Sequence, residues 1–469
     1  MAPLFFAREA ATAAKMDHLS GPQDQIMAKK EKKPFGATTQ AGRLLKLTSM
    51  TTSIASRVAG HQVKKLFQDE QAQQRDREKL MRDVGRQVAE TLGQMKGAVM
   101  KVGQIASQMQ DLLPTEIADA LTVLQKASAP MPFSIIKRQL KKELGDDPTN
   151  LFGSFEDKPF AAASIGQVHR ATLKDGSEVV VKVQYPAVKS SIDSDMRQLR
   201  RILRLGALFK VNEATLDAIF KEIREQLEEE LDYVQEAANL KKFREFHSIE
   251  PWIIIPEVVD ALSSEQVLTL RYEPGDDLDT VEHSSAYDQT LRNLLGSRLF
   301  DAMGREIFVL REVHCDPHPG NFAFRPDGSI VMYDFGAIKR LPEEDIRALK
   351  DLTLAAYQGD YQALDKLLVD LDVRKGDGPH VGSDFYRPWV EMLLPVFGHE
   401  PFDFASSRLH IELVKHTRTV PWKYLESFQP SPRTLLVNRV LGGHYWTLKR
   451  LGVNYAFREN VEKTLAEVS

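Results

Sequence analysis

Cysteine is nearly absent: Cys315 stands alone in 469 residues, so no internal disulfide can form and stability has to come from packing. A single thiol also fits a reducing compartment. Long apolar runs are missing too. Stretches such as Trp252-Ile253-Ile254-Ile255 end at proline, well short of the roughly 18 to 20 residues that cross a bilayer. There is little excess charge, since 62 Lys and Arg against 66 Asp and Glu leave a net charge of -4. That balance, with no basic patch interleaved with aromatics, predicts no nucleic-acid partner. What is present is 42% hydrophobic and 27% charged residues, enough to pack two or three units and too apolar for wholesale disorder.

The first 40 residues lack the apolar core of a signal peptide, and Glu9, Asp17, Asp24 and Glu31 speak against an acid-poor transit peptide. Lys29, Lys30, Lys32 and Lys33 precede a patchily apolar stretch, Ala41 to Phe67, with five interspersed basic residues. Two readings stand for residues 1–75: a helix lying on an anionic membrane surface, or a solvated tail leading into an ordinary helix. The expected location is cytoplasmic, peripheral at the inner face of a membrane, with the mitochondrial matrix as the alternative.

From Asp76 to Gln110 apolar residues recur every three or four positions, from Leu80 and Val84 to Ile105 and Met109, which is the helical period. Further helices are predicted at Thr115–Lys126 and Ser134–Leu144, so residues 76–150 form a helical extension. The pattern changes at Phe160. Val168 and Val179-Val180-Val181, separated by Lys174-Asp175-Gly176-Ser177, predict a hairpin. A long helix follows from Glu213 to about Phe246, then short strands at Ile253–Val259 and Val267–Tyr272 that complete a small sheet. Beyond Pro274-Gly275 the chain reads as helical, apart from residues 312–340 and a loop at 374–384. The fold class is therefore α+β, with a small α/β lobe over 151–272 and a larger helical lobe over 273–469.

Asp316 and Asn321 are five residues apart in His314-Cys315-Asp316-Pro317-His318-Pro319-Gly320-Asn321, the spacing of a protein-kinase catalytic loop. Asp334-Phe335-Gly336 follows, after the strand Ile330 to Tyr333. Phosphoryl transfer concentrates negative charge on phosphate oxygens, so the site needs hard oxygen ligands for Mg2+, and Asn321 and Asp334 are the natural pair. Asp316 is placed to accept the proton of a hydroxyl or to orient a water. His314 and His318 with Asp316 form a short His-x-Asp-x-His cluster, but it lacks a regular helical face, and a turn or loop role is preferred to zinc. Lys182, ending Val179-Val180-Val181-Lys182, matches the strand lysine that pairs with the α- and β-phosphates of ATP. Ahead of it Ala161-Ala162-Ala163-Ser164-Ile165-Gly166-Gln167-Val168 occupies the place of a glycine-rich phosphate loop, with alanines for glycines, which predicts an altered nucleotide pose. On the acidic helix, Asp232 and Glu236 share a face while Glu230 points elsewhere. Glu236 is the candidate partner of Lys182.

The alanine-rich segment, Glu230-x-Asp232 and the His314 to Asn321 loop together resemble the UbiB/ADCK family. Lys101-Val102-Gly103-Gln104, followed by Leu112-Leu113-Pro114, is similar to that family's lysine and glutamine element. The resemblance spans about residues 80 to 345. It implies an atypical protein-kinase-like fold whose N-terminal helical extension lies over the active site, with Lys101 and Gln104 in a regulatory position and Glu230 or Asp232 as partners for Lys101. It also implies ATP with a divalent cation, an association with ubiquinone (coenzyme Q) biosynthesis, and ATPase behaviour at membranes. Lys101 would block an ordinary protein substrate. No apolar span follows Trp446-Thr447-Leu448-Lys449-Arg450, so an integral-membrane role is not carried over.

The expectation is an ATP- and Mg2+-dependent atypical kinase or ATPase supporting quinone-lipid metabolism, with quinone-precursor lipids, a membrane surface and quinone-biosynthesis proteins as partners. Two alternatives remain: a small-molecule kinase of the aminoglycoside or choline type, and a non-catalytic module that binds lipid or protein under ATP control. Oligomeric state is not legible.

Overall fold

A computed structural model describes residues 130–468 apart from 163–164, 187, 190–191, 194–195, 198–219, 222–223, 226, 317, 380, 422–423, 425 and 430, together with 49, 52, 53, 56, 57 and 83. The described residues divide into two units, one holding those up to 237 with 257–272, the other holding 238–256 and 273 onward. The helices expected over 76–110 and 115–126 lie outside the described residues apart from Asp83, which is helical.

In the first unit, helix α1 (Phe133–Leu144) buries Ile136 and Leu140 completely and ends at Gly145, whose φ of 85° supplies a left-handed cap. Strands β1 (Ser154–Phe155), β2 (Ala161–Ala162), β3 (Gly166–Thr172) and β4 (Glu178–Gln184) follow. β3 and β4 form the expected hairpin, paired from Gly166↔Gln184 to Thr172↔Glu178 and closed by Gly176 at a φ of 86°. Their burial alternates residue by residue. Val179, Val181 and Val183 are almost fully buried on one face, where α1 packs, whereas Val180 and Lys182 on the other face are partly exposed. Branched valines suit such a pleated surface.

The long helix expected from Glu213 to Phe246 is interrupted. Residues 227–230 are helical, the backbone breaks at Leu231 and Asp232, and helix α2 (Tyr233–Phe246) starts anew. Asp232 makes the break: its Oδ1 accepts the Gln235 N–H at 2.9 Å, a capping bond that a mid-helix aspartate does not make. Glu230 therefore belongs to the preceding helical stretch and does not share one regular helix with Glu236.

A second correction concerns the strands after α2. Ile253–Ile254 (β5) does not join the β3–β4 sheet. Only β6 (Val267–Arg271) does, beside β4, with Lys182 opposite Leu268. β5 belongs to the second unit and pairs there in parallel with Ile330 and Val331. Apolar runs of two to five residues look alike in sequence, and long-range pairing chooses the sheet.

The second unit is mostly helical. Helix α3 (Gln289–Arg305) runs into a π-helical turn, Glu306–Leu310, and Arg311 then adopts a left-handed φ of 57° before β7 (Glu312–His314). Strands β8 (Phe322–Phe324) and β9 (Ile330–Met332) form an antiparallel pair beside β5, and β10 (Ile338–Arg340) returns to pair with β7. Helices α4 (Glu343–Gln358), α5 (Tyr361–Asp370), α6 (Ser383–Leu393), α7 (Leu409–Thr419), α8 (Pro432–Leu451) and α9 (Arg458–Ala466) follow. Leu364, Leu368, Tyr386 and Phe428 lie in a shared apolar core, and the expected loop after Arg374 is present. Among the described residues, no helix is long and apolar enough to cross a membrane.

Candidate active site

In the first unit, Lys182 and Glu236 form a two-pronged ion pair, with Nζ 2.9 Å from Oε1 and 3.0 Å from Oε2. Glu236 is 2% exposed. The Tyr233 ring, its centre 5.1 Å from Nζ, adds an aromatic face one turn earlier on α2. The Asp232 cap sets the start of the helix and so the height of Glu236. Gln184, two residues beyond Lys182, ties β4 to the chain just ahead of α2 by donating to the Leu231 carbonyl at 2.9 Å. A lysine held this way has a fixed position, as a phosphate-binding cation requires.

The alanine-rich segment begins as an edge strand. Ala161 lies opposite Val168 and Ala162 opposite Gln167, while Ala163 and Ser164 fall outside the described residues. Ile165 is buried, with its carbonyl bonded to the Tyr185 N–H. Gly166 has a reason that a phosphate-loop reading does not supply: a Cβ there would lie 2.4 Å from the Val183 carbonyl oxygen, so close strand approach excludes a side chain. Gln167 is directed to the buried face, where its Oε1 accepts the Met131 N–H at 2.9 Å and its amide lies 2.9 Å from His169 Nε2. Burial holds the His169 pKa below its ordinary value. Of these residues Val168 is opposite Lys182 and shares its face. Lys101 and Gln104 lie outside the described residues.

In the second unit, β7 and β10 hold the loop from His314 and the segment after Asp334 side by side, with His314 opposite Ile338 and the Cys315 N–H bonded to the Ala337 carbonyl. His314 organises this region. Its Nε2 donates to the Asp334 carbonyl, and its Nδ1 lies 3.3 Å from the Asp316 N–H that it accepts. Asn321 Nδ2 donates to the Asp316 carbonyl at 3.0 Å and to Asp316 Oδ2 at 3.1 Å. Asp334 Oδ1 accepts the Gly336 N–H at 3.0 Å. Asn321 precedes β8 and Asp334 follows β9 by two residues, and the Tyr333 N–H donates to the Asn321 carbonyl, so the two lie at the same end of one strand pair.

Phe335 is fully buried against Phe243, with ring centres 5.0 Å apart, and meets His314 edge-on at 5.4 Å. Asn239 Nδ2 donates to the Phe335 carbonyl at 2.8 Å. Sequence reasoning missed Asn239, although it lies three residues after Glu236, on the same side of α2. His318 is exposed and turns inward only to accept the Gly320 N–H on Nδ1. Cys315 is buried, its thiol 3.5 Å from the Val313 carbonyl. His444 of α8 packs edge-on against Phe322, and burial, aided by nearby His314, pushes its pKa down to about 3.

The donor set fits a hard divalent cation. Asn321 commits its amide nitrogen to Asp316, which leaves the amide oxygen for a metal, and Asp334 brings a carboxylate; neither nitrogen nor sulfur is required. With Asp316 beside them, the arrangement suits transfer or hydrolysis of a metal-bound phosphoryl group.

A strand lysine paired to a helix glutamate, together with this loop and Asp-Phe-Gly segment, defines a kinase-like protein. Residues 123–368 match the ABC1 atypical kinase-like domain, and the chain belongs to that family. It is 31% identical over 373 residues to the protein named atypical kinase coq-8, mitochondrial, of Caenorhabditis elegans, covering 78% of this chain and 48% of that one. It is 34% identical over 278 residues to the probable protein kinase UbiB of Vibrio parahaemolyticus, covering 58% and 51%. The chain thus spans about half the length of these two relatives. A solved structure titled as the complex of Rv3197 with erythromycin from Mycobacterium tuberculosis superposes with a TM-score of 0.59 at 28% identity, covering 82% of this chain and 96% of that one. These relatives accord with the UbiB/ADCK resemblance and with the kinase-like fold.

Proposed function

We propose that this atypical kinase binds Mg-ATP and transfers or hydrolyses its terminal phosphoryl group in support of ubiquinone or related lipid metabolism. The observation that carries the reading is the two-pronged Lys182–Glu236 pair, in which a buried carboxylate holds a partly exposed lysine in place at a cost in side-chain freedom and desolvation. Lys182 binds the α- and β-phosphates, and the alanine-rich segment beginning at Ala161 lies along them. Asn321 and Asp334 hold Mg2+, which supplies charge neutralisation for the phosphates when bound. Asp316 accepts the proton of the attacking hydroxyl or orients a water, with Asn321 fixing its carboxylate. Lys101 and Gln104 carry a regulatory role in this reading, with Glu230 or Asp232 as partners for Lys101, and they disfavour a protein as phosphoryl acceptor.

The names coq-8 and UbiB support the quinone assignment, and the mitochondrial name supports the matrix alternative for its location. Quinone-biosynthesis proteins and a quinone-bearing membrane surface are the proposed partners. Calorimetric titration with Mg-ATP tests the central claim. The wild type is expected to bind, and Asp334→Asn to lose at least about tenfold in Mg2+-dependent affinity, as a charged ligand removed from a metal site should. Unchanged binding without Asp334 sinks the metal assignment. In cells lacking the protein, wild type restores quinone content and Lys182→Ala does not; equal rescue removes the metabolic role. The erythromycin in the mycobacterial title supports one second reading, a surface for bulky apolar ligands, which the same titration tests with erythromycin itself.

A further inference from the structure

The β3–β4–β6 sheet has two unlike faces. Gln167, His169 and Ala171 with Val179, Val181 and Val183 are buried on the α1 side. Residues directly opposite in an antiparallel pair share a face, so Val168 with Lys182, and Arg170 with Val180, lie together on the other side, all of them partly exposed. On this second face each of the two rows holds one valine and one cation, so Arg170 and Lys182 stand at opposite corners of a four-residue square whose other corners are Val168 and Val180. Ordinary sheet spacing puts the Arg170 and Lys182 backbones about 8 Å apart, the scale that separates a nucleoside from its phosphates.

Arg170 is held unusually. Its guanidinium carbon is 4.3 Å from the centre of the Phe160 ring and 4.6 Å from that of Tyr272, and its Nη2 donates to the Tyr272 hydroxyl at 2.8 Å. The rings stand 6.1 Å apart, almost perpendicular. Two aromatic walls fix the plane of the guanidinium and leave hydrogen bonding to its edge. On that edge Nε is buried and meets no acceptor among the described residues. Nε is covered and out of a ligand's reach, so the donor this edge offers to a ligand is Nη1, which is not buried and meets no acceptor among the described residues. Phe160, half exposed, directly precedes the alanine-rich segment, and Tyr272 directly follows the last residue of β6.

We propose that Arg170 reads the base of the bound nucleotide: its in-plane donors meet an acceptor on the base edge, the base lies over Val168 and Val180, and Lys182 takes the phosphates. This rests on the nucleotide-binding reading given above and adds to it the residue that recognises the nucleoside end. Phe160 and Tyr272 are positioning residues that act through Arg170.

The test compares three probes, Mg-ATP, adenosine and inorganic tripolyphosphate, by calorimetry or by displacement of a fluorescent nucleotide from the full chain. Arg170→Leu is expected to weaken Mg-ATP and adenosine about tenfold or more, as the loss of a hydrogen bond built into a site does, and to leave tripolyphosphate within twofold. Lys182→Met should show the reverse pattern. Arg170→Lys keeps the charge without the planar fork and is expected to behave like leucine. Phe160→Leu alters an exposed ring, so folding is preserved, and it should weaken adenosine several-fold with no effect on tripolyphosphate. Equal losses for adenosine and tripolyphosphate, full rescue by lysine, or unchanged adenosine binding in Arg170→Leu and Phe160→Leu each overturn the proposal. A wild type that binds tripolyphosphate and not Mg-ATP or adenosine removes the nucleotide reading itself, a distinct outcome.

Discussion

Replacing Glu236 by Gln keeps the shape of the Lys182 partner and removes its charge. At 2.9 Å and an effective dielectric constant of about 20, the attraction between the two charges is about 6 kcal/mol, part of which offsets the desolvation of both groups. What remains in Glu236→Gln is a lysine whose side chain is 19% exposed and whose counter-charge is gone. Breaking one side of a buried pair costs about 3–5 kcal/mol, and the partial exposure of Lys182 puts the expected loss near 3. Lys182→Met in the same background removes the second charge, so the double variant should recover a large part of that loss. The assay is urea unfolding of the four proteins of the cycle, followed by circular dichroism and by fluorescence to test that the transitions coincide. A Glu236→Gln protein within about 1 kcal/mol of wild type, or a double variant whose loss equals the sum of the singles, refutes the reasoning that this pair is a buried, mutually dependent unit.

His247 gives a pH prediction. It is buried, and burial alone would lower its pKa, but hydrogen bonds to Glu250 at 2.8 Å and Glu306 at 3.2 Å outweigh that and raise it, with Arg305 balancing Glu250 at 2.9 Å. A raised folded pKa contributes stability that is fully present below the unfolded value of about 6.5 and is lost as pH climbs through the folded value. The stability gap between wild type and His247→Gln, measured by urea unfolding at pH 6, 7 and 8, should therefore shrink as pH rises; a gap that widens refutes the charge assignment. Gly166→Ala brings a methyl group against the Val183 carbonyl and should cost about 1–3 kcal/mol, read as a lowered melting temperature, whereas unchanged melting would show that the strands can part freely.

The sequence carried much of this site because its parts are local. The five-residue spacing from Asp316 to Asn321, the Asp-Phe-Gly after a short strand, and the valine run ending at Lys182 are each contained within a few residues. The hairpin at Gly176 was legible for the same reason, since a left-handed turn demands glycine. What was not legible depends on distant partners. Nothing in Ile253-Ile254 says that it pairs with Ile330 and Val331 rather than with the neighbouring β6. Nothing in Leu-Asp-Tyr tells a helix interior from a capped restart, because Asp232 acts as a cap only once the chain ahead of it turns away. Gly166 looked like the remnant of a phosphate loop, and its constraint came from a carbonyl across the sheet. Arg170 stood out in no pattern, since its two ring walls lie 10 residues before it and 102 after it.

The capped restart of α2 has an evolutionary consequence. Because Asp232 begins the helix afresh, the height of Glu236 is counted from a point four residues away and not from the start of one long rod. Insertions or deletions upstream of Glu230 then change the lead-in without rotating Glu236 away from Lys182. A family built this way can lengthen, shorten or rewrite the segment before the Glu230-x-Asp232 acids and keep its lysine partner in register, so variation should accumulate ahead of Glu230 and stop abruptly there.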